Sequence, residues 1–327
     1  MTSPLSAPMP NPKLILLLSE GWTMTDPRDL RGLVELAVVA EDAGIDGIMF
    51  GEHIVMGPNA GVNGPPENPR DWLAVGNHVP GDPYPNALHL LSAMASVTTR
   101  VRLLAAAVLS AFRHPLVLGK ELTTLDLVSK GRLIFMPTVS WQKEEYEAQG
   151  VPFHLRGKIL DEQLEVWQRA WRDENVTFHG EHYNFADVRF EPKPWRPSGP
   201  TLWIGATRLH PAALRRIVSY GAGYFPGIPP SRDDLARLRA AMEEAGRSFE
   251  ELELTMMLGL DTRFADATST KPLAPALDGA RKAISRGFTT FVIKPSQYID
   301  DRNQLGDFCH EALTGLRERA HEVGLTA

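Results

Sequence analysis

His53 stands just past the short apolar run Gly47–Phe50, directly after Glu52, where a strand end would present it to a binding site. An imidazole titrates near neutral pH, so in that position it can give or take a proton during a reaction. A second candidate is Gly205, Ala206, Thr207 and Arg208, which lead through Leu209 and His210 into Pro211. Proline suits the first position of a helix. The N–H groups and dipole of a helix start attract anions, and a nearby guanidinium adds a charge-assisted contact. The segment therefore reads as a phosphate site. Each candidate has a plain structural alternative: a hydrogen-bonded core histidine in one case, an ordinary capped helix in the other.

Ala105, Ala106 and Ala107 close another apolar run with side chains small enough for a planar ring to approach the backbone. Thr138 and Ser140 place hydroxyls just after the run Leu133–Met136. Trp22, Met56, Trp72, Tyr84, Phe112 and Tyr224, with His78 and Met136, are candidates for an apolar pocket wall, since small-molecule sites are mostly apolar with few polar anchors. His78, His89 and His114 form no HxH or HExxH spacing with an acidic partner, so no catalytic metal is expected. GxSxG, P-loop and paired-cysteine patterns are absent, leaving hydrolase and kinase readings without residues.

Composition narrows the class further. A chain of 327 residues with 43% hydrophobic content can bury one large core, so a single domain over 1–327 is expected. The lone Cys309 rules out an internal disulfide and agrees with a reducing cytoplasm. A net charge of −6 offers no basic footprint for nucleic acid. No basic-then-apolar leader opens the sequence, and no eighteen apolar residues run together. A cytoplasmic protein with a small-molecule partner, and neither nucleic acid nor membrane, is the expectation.

These residues need a scaffold. Apolar β-type runs occur at Leu14–Leu18, Gly47–Phe50, Val101–Val108, Leu133–Met136, Leu202–Ile204, Gly223–Phe225, Leu252–Leu260 and Thr290–Ile293. Amphipathic stretches separate them: Leu30–Ala43, Ala87–Val97, Leu116–Leu127, Ile159–Trp171, Ala212–Tyr220, Arg232–Ala245, Leu273–Ser285 and Leu305–Val323. Such alternation predicts a parallel sheet, and eight units predict an α/β (β/α)₈ TIM barrel whose active site lies at the C-terminal ends of the strands. No GxGxxG follows the first strand, which disfavours an open dinucleotide-binding sheet. Met56–Tyr84, rich in Gly, Pro and Asn, is too long for an ordinary connection and predicts a lid or substrate loop. Val176–Phe185 predicts a hairpin, Glu191–Pro200 an extended segment and Asp261–Lys271 a polar, mobile loop.

The stretch from Arg113 to Val151, with HP at His114 and Pro115, KELTTLDLVSKGRL and SWQKEEYEAQGVPF, resembles the central signature of the bacterial luciferase-like family of flavin and deazaflavin oxidoreductases. AVVAEDAGIDGIMFGEHIVMGP upstream, and RGKILDEQLEVWQRAW, FEPKPW and TLWIGATRLHPAALRR downstream, follow in the family's order. The resemblance implies reduced FMN or coenzyme F420 as cofactor, with monooxygenation or hydride transfer on a small, largely apolar substrate. It implies a functional role for the Glu52–His53 pair and a cis peptide at Ala106–Ala107 behind the ring. It further implies the cofactor phosphate on Gly205–Arg208, with Thr138 and Ser140 on the same cofactor. A homodimer served by a separate flavin reductase or F420 reductase is expected on the same ground. The chain departs from the family pattern at MPTVSW, GAT and AGY, where glycines or an acid are usual. A non-catalytic flavin-binding or ligand-carrier protein on the same barrel is the alternative; a metal-dependent barrel hydrolase is a third.

Overall fold

A computed structural model describes residues 11–20, 22–72, 75–79 and 81–326. The N-terminal segment read above as lacking a leader falls almost wholly outside the described residues. Eight strands close a parallel barrel: β1 (Lys13–Leu17), β2 (Gly47–Phe50), β3 (Arg102–Leu109), β4 (Leu133–Thr138), β7 (Thr201–Ala206), β8 (Gly223–Pro226), β9 (Glu253–Met257) and β10 (Thr290–Ile293). Chain order is barrel order, and β10 pairs with β1 from Lys13↔Thr290 to Leu16↔Ile293 to complete the ring. The hairpin β5 (Val176–His179) and β6 (Asn184–Val188) stands apart as a two-stranded antiparallel sheet.

Helices α1 (Leu30–Asp42), α2 (Ala87–Val97), α3 (Pro115–Val128), α5 (Arg156–Arg172), α6 (Pro211–Tyr220), α7 (Arg232–Glu244), α8 (Leu273–Ile284) and α9 (Leu305–Thr326) connect or follow the barrel strands. A short helix, α4 (Lys143–Ala148), is additional to those expected from apolar spacing. Its six residues, KEEYEA, are too few and too charged to show a helical period. The strand expected over Leu252–Leu260 ends at Met257, and Gly259, at φ +75°, turns the chain away from the barrel. At the end of α3, Lys130 and Gly131 both take positive φ, and Gly131 N donates to the Asp126 carbonyl at 2.8 Å, so the chain reverses into β4.

Period-two alternation along each strand decides what faces the barrel axis. Ile15, Leu17, Met49, Leu104, Ala106, Ile134, Met136, Trp203, Phe225 and Val292 pack together inside. Their strand neighbours, including Leu16, Ile48, Phe50, Leu103, Ala105, Phe135, Ile204, Tyr224 and Ile293, face outward into the helix layer. Fully buried Trp203 fills the lower barrel, where Arg102 approaches its ring and pairs with Glu253 at 2.8 Å. The upper end is left for chemistry.

Candidate active site at the barrel mouth

His53 continues the inward parity of Met49, and its imidazole enters the mouth two residues beyond Gly51. Its Nδ1 lies 3.0 Å from Glu145 Oε2 on α4. Glu145 is fully buried, and its other oxygen accepts from Ile54 N at 2.6 Å and Val55 N at 3.3 Å. An ionised carboxylate only accepts, so this contact sets the tautomer: Nδ1 carries the proton, and Nε2 is left to exchange one. The rings of Tyr84, His78 and Trp141 surround the imidazole edge-on at 5.0, 5.5 and 6.1 Å between centroids. His78 Nδ1 in turn lies 3.2 Å from Tyr84 Oη. Burial, with the charge of nearby His53 adding to it, pushes the His78 imidazole down to about 4.

Glu52 requires a correction. It has the opposite parity, pointing outward with Ile48 and Phe50, so it does not share the mouth with His53. Its buried carboxylate accepts from Leu109 N at 3.0 Å and holds Arg113 Nη1 at 3.0 Å. Those bonds tie the ends of β2 and β3 together, a role in the scaffold. Glu145, 92 positions beyond His53, is the acid that faces the imidazole.

Beside this cluster opens a cavity of about 540 Å³. Met136, Phe225 and Met257 line its inner end, Thr138, Ser140 and Trp141 one flank, and Gly205, Ala206, Thr207 and Arg208 the outer end. Six residues assigned to cofactor binding from sequence therefore meet in one space. Ala106 and Ala107 belong to the inner barrel wall, and the peptide joining them is cis, as the resemblance implies. A Cβ on Gly205 would meet Met136 Sδ at 2.9 Å, so the glycine lets the Met136 thioether pack against the β7 backbone. Ser140 takes φ +50° where the family uses glycine, and its N donates to Thr138 Oγ1 at 3.2 Å.

The outer end is built on the start of α6. Pro211 occupies its first turn, and His210 Nδ1 accepts from Ala213 N at 3.2 Å. The helix thus caps one of its own donors, as in the ordinary-cap alternative, while Arg208 stays exposed at the rim of the cavity. Arg216, a further lining residue, is held by Asp161 Oδ1 at 2.7 Å and the Gly157 carbonyl at 2.8 Å.

The remaining pocket assignments divide. Tyr84 lies against His53, and Trp72 packs on the inner barrel residues at the mouth. Tyr224 is corrected: it faces the helix layer, and its neighbour Phe225 faces the cavity. Phe112 is corrected too, because it stacks edge-on against Tyr146 at 4.6 Å beneath α4. Trp22 packs against the outer core, and half-buried Met56 does not line the cavity. His89 sits exposed beside the α2 cap Asn86, and His114 caps α3. Among the described residues, no three His, Cys, Asp or Glu side chains gather to hold a metal ion. Glu145, Trp141, Phe225, Met257 and Arg216 were not singled out from sequence. Alternation along β8 and β9 was the available signal for Phe225 and Met257.

A closed parallel barrel with this mouth places the chain among barrel enzymes by architecture, and the profile of the luciferase-like monooxygenase family matches residues 14–270. The chain belongs to that family. It is 29% identical over 181 residues to the pyrimidine monooxygenase RutA of Pseudomonas syringae, covering 53% of this chain and 50% of RutA. A riboflavin lyase solved with modified FMN and riboflavin superposes with a TM-score of 0.71 at 15% identity, covering 95% of this chain and 92% of the lyase. An F420-dependent secondary alcohol dehydrogenase bound to an F420–acetone adduct gives 0.69 at 14% identity, with 94% and 99% covered. No helix among the described residues is long and apolar enough to cross a membrane.

Proposed function

We propose that this chain is an oxidoreductase that uses reduced FMN or coenzyme F420 at the barrel mouth to oxidise or reduce a small organic substrate. The observation that carries the reading is the cavity itself, apolar at Met136, Phe225 and Met257 and cationic at Arg208, opening beside the oriented His53. A tricyclic ring with an anionic tail has that same polarity. The small side chains at Ala106 and Ala107 leave room for the ring, while Thr138, Ser140, Thr207 and Arg208 would hold the tail. When bound, either cofactor supplies the redox step.

The protein's own residues supply placement and a proton path. Glu145 holds His53 so that Nε2 faces the reacting groups, and Tyr84, His78 and Trp141 crowd water away from the imidazole. A pure carrier would need the cavity but no oriented acid–base group. A separate flavin or F420 reductase would supply the reduced cofactor. The experiment is titration of the purified protein with FMN, reduced FMN and F420, read by fluorescence, followed by steady-state turnover of whichever binds. Binding without turnover would favour the carrier, and binding of neither cofactor would remove the reading.

A further inference from the structure

Past the ends of β10 and β1, which precede β2 around the barrel, lies a charged pair that the proton path does not use. Lys294 follows β10 with the inward parity of Val292, and its side chain is 1% exposed. Its Nζ donates to the Asp71 carbonyl at 2.9 Å and stands 3.5 Å from Glu20 Oε2. Glu20, just past β1 at φ +64°, leaves 19% of its side chain open. The Trp72 ring lies 5.8 Å from the ammonium. Lys294, Glu20 and His53 follow the C-terminal ends of β10, β1 and β2, three consecutive strands of the barrel, so pair and imidazole share one mouth.

A buried ion pair at 3.5 Å is loose. An ammonium has three donors, and Lys294 directs one at Asp71 and one toward Glu20, which leaves a third. Burial works against either charge alone, raising Glu20 and lowering Lys294, while the attraction between the two opposes it, so each is held in place by the other and by its hydrogen bonds. Glu20, Asp82 and Glu145 all act on the Tyr84 hydroxyl at this mouth, and that excess of carboxyl groups disfavours an anionic guest. A donor beside an acceptor complements a group of the reverse order, and a buried hydrogen-bonding pair rejects molecules that leave it unmatched.

We propose that Lys294 and Glu20 are the substrate-recognition pair, selecting a neutral carbonyl compound with an N–H or O–H next to the carbonyl, as in a lactam, and holding it before His53. Lys294 donates to the carbonyl oxygen, and Glu20 accepts from the adjacent N–H or O–H. The inference rests on the reading of the mouth as the active site and narrows its largely apolar substrate to one with this polar edge.

The test uses three probes of similar size, δ-valerolactam, cyclohexanone and pentanoate, titrated calorimetrically into the protein loaded with whichever of FMN or F420 it binds. The lactam is expected to bind at least about tenfold more tightly than either other probe. Lys294→Met and Glu20→Gln should each bring that ratio close to one with cofactor affinity intact, and Lys294→Arg should restore part of it. Should Lys294→Met fail to fold, the isosteric Glu20→Gln carries the test. Equal binding of the three probes, no binding of the lactam, or an unchanged ratio in a folded variant overturns the proposal. Failure of both cofactors to bind would instead sink the proposed function, so the two failures are distinct.

Discussion

Glu145 Oε2 lies 3.0 Å from His53 Nδ1, and the same carboxylate caps the backbone that carries His53 through Ile54 N and Val55 N. One buried acid therefore fixes both the ring and the chain beneath it. His53→Ala should lower turnover by about 10² to 10⁴, the usual contribution of a positioned acid or base. Glu145→Gln should lower it less, with the tautomer no longer enforced. Glu145→Ala should also destabilise the fold, since the Ile54 and Val55 N–H groups lose their acceptor. Turnover within twofold of the native protein in both His53→Ala and Glu145→Gln would remove the assignment.

Arg208 is exposed and lines the outer end of the cavity, so its replacement should weaken the cofactor while sparing the fold. A hydrogen bond to a charged group contributes about 1.5–3 kcal/mol, so Arg208→Ala should raise the cofactor Kd by roughly tenfold or more. Calorimetry showing an unchanged Kd would place the anionic tail elsewhere.

Gly227 donates its N–H to the Ala206 carbonyl at 3.1 Å, and a Cβ there would meet Thr207 Cα at 3.2 Å. That neighbour is backbone and yields little. Gly227→Ala should shift the Thr207–Arg208 turn and weaken cofactor binding, with urea unfolding showing a smaller change than binding does. Native affinity in the variant would show that the turn does not touch the cofactor.

Glu52 is paired in a buried setting with Arg113. Removing one partner of a buried pair leaves the other charge uncompensated, so Glu52→Ala should cost on the order of 3 kcal/mol in stability. Chemical denaturation reads this directly. Lost turnover with unchanged stability would return Glu52 to the catalytic role expected from its position in sequence.

His78 gives the fold a pH dependence of definite sign. Its folded value is depressed to about 4, so between about 6.5 and 4 the unfolded chain binds the proton that the folded chain refuses. The stability from neutral His78 is full above pH 6.5 and falls with decreasing pH at about 1.4 kcal/mol per unit until pH 4. His78→Asn should flatten the difference in urea midpoint between pH 7 and pH 4.5. An identical pH slope in the variant would mean that other groups set it.

All eight barrel strands and the hairpin were legible because buried β-runs bounded by turn residues, alternating with amphipathic helices, are local patterns. That Thr138, Ser140 and Gly205–Arg208 would meet in one cavity was legible because residues at strand ends share one face of a barrel. Tyr224 and Phe112 were misassigned because residue type alone does not say which way a side chain points. One step along β8 exchanges the helix layer for the cavity, and Phe225 holds the place given to Tyr224.

By itself the sequence determined the barrel, the strand ends and which side chains stand there, an imidazole at His53 and a guanidinium at Arg208, since hydrophobic period and residue type are written along the chain. Only the tertiary structure decided the partners: Glu145 for His53, Arg113 for Glu52 and Glu20 for Lys294. Barrel closure brings residues together across separations from 61 positions, for Glu52 and Arg113, to more than 270, for Glu20 and Lys294. Hydrogen bonds and ion pairs act over a few ångströms of space, and no spacing along the sequence encodes which distant carboxylate will fall within that reach.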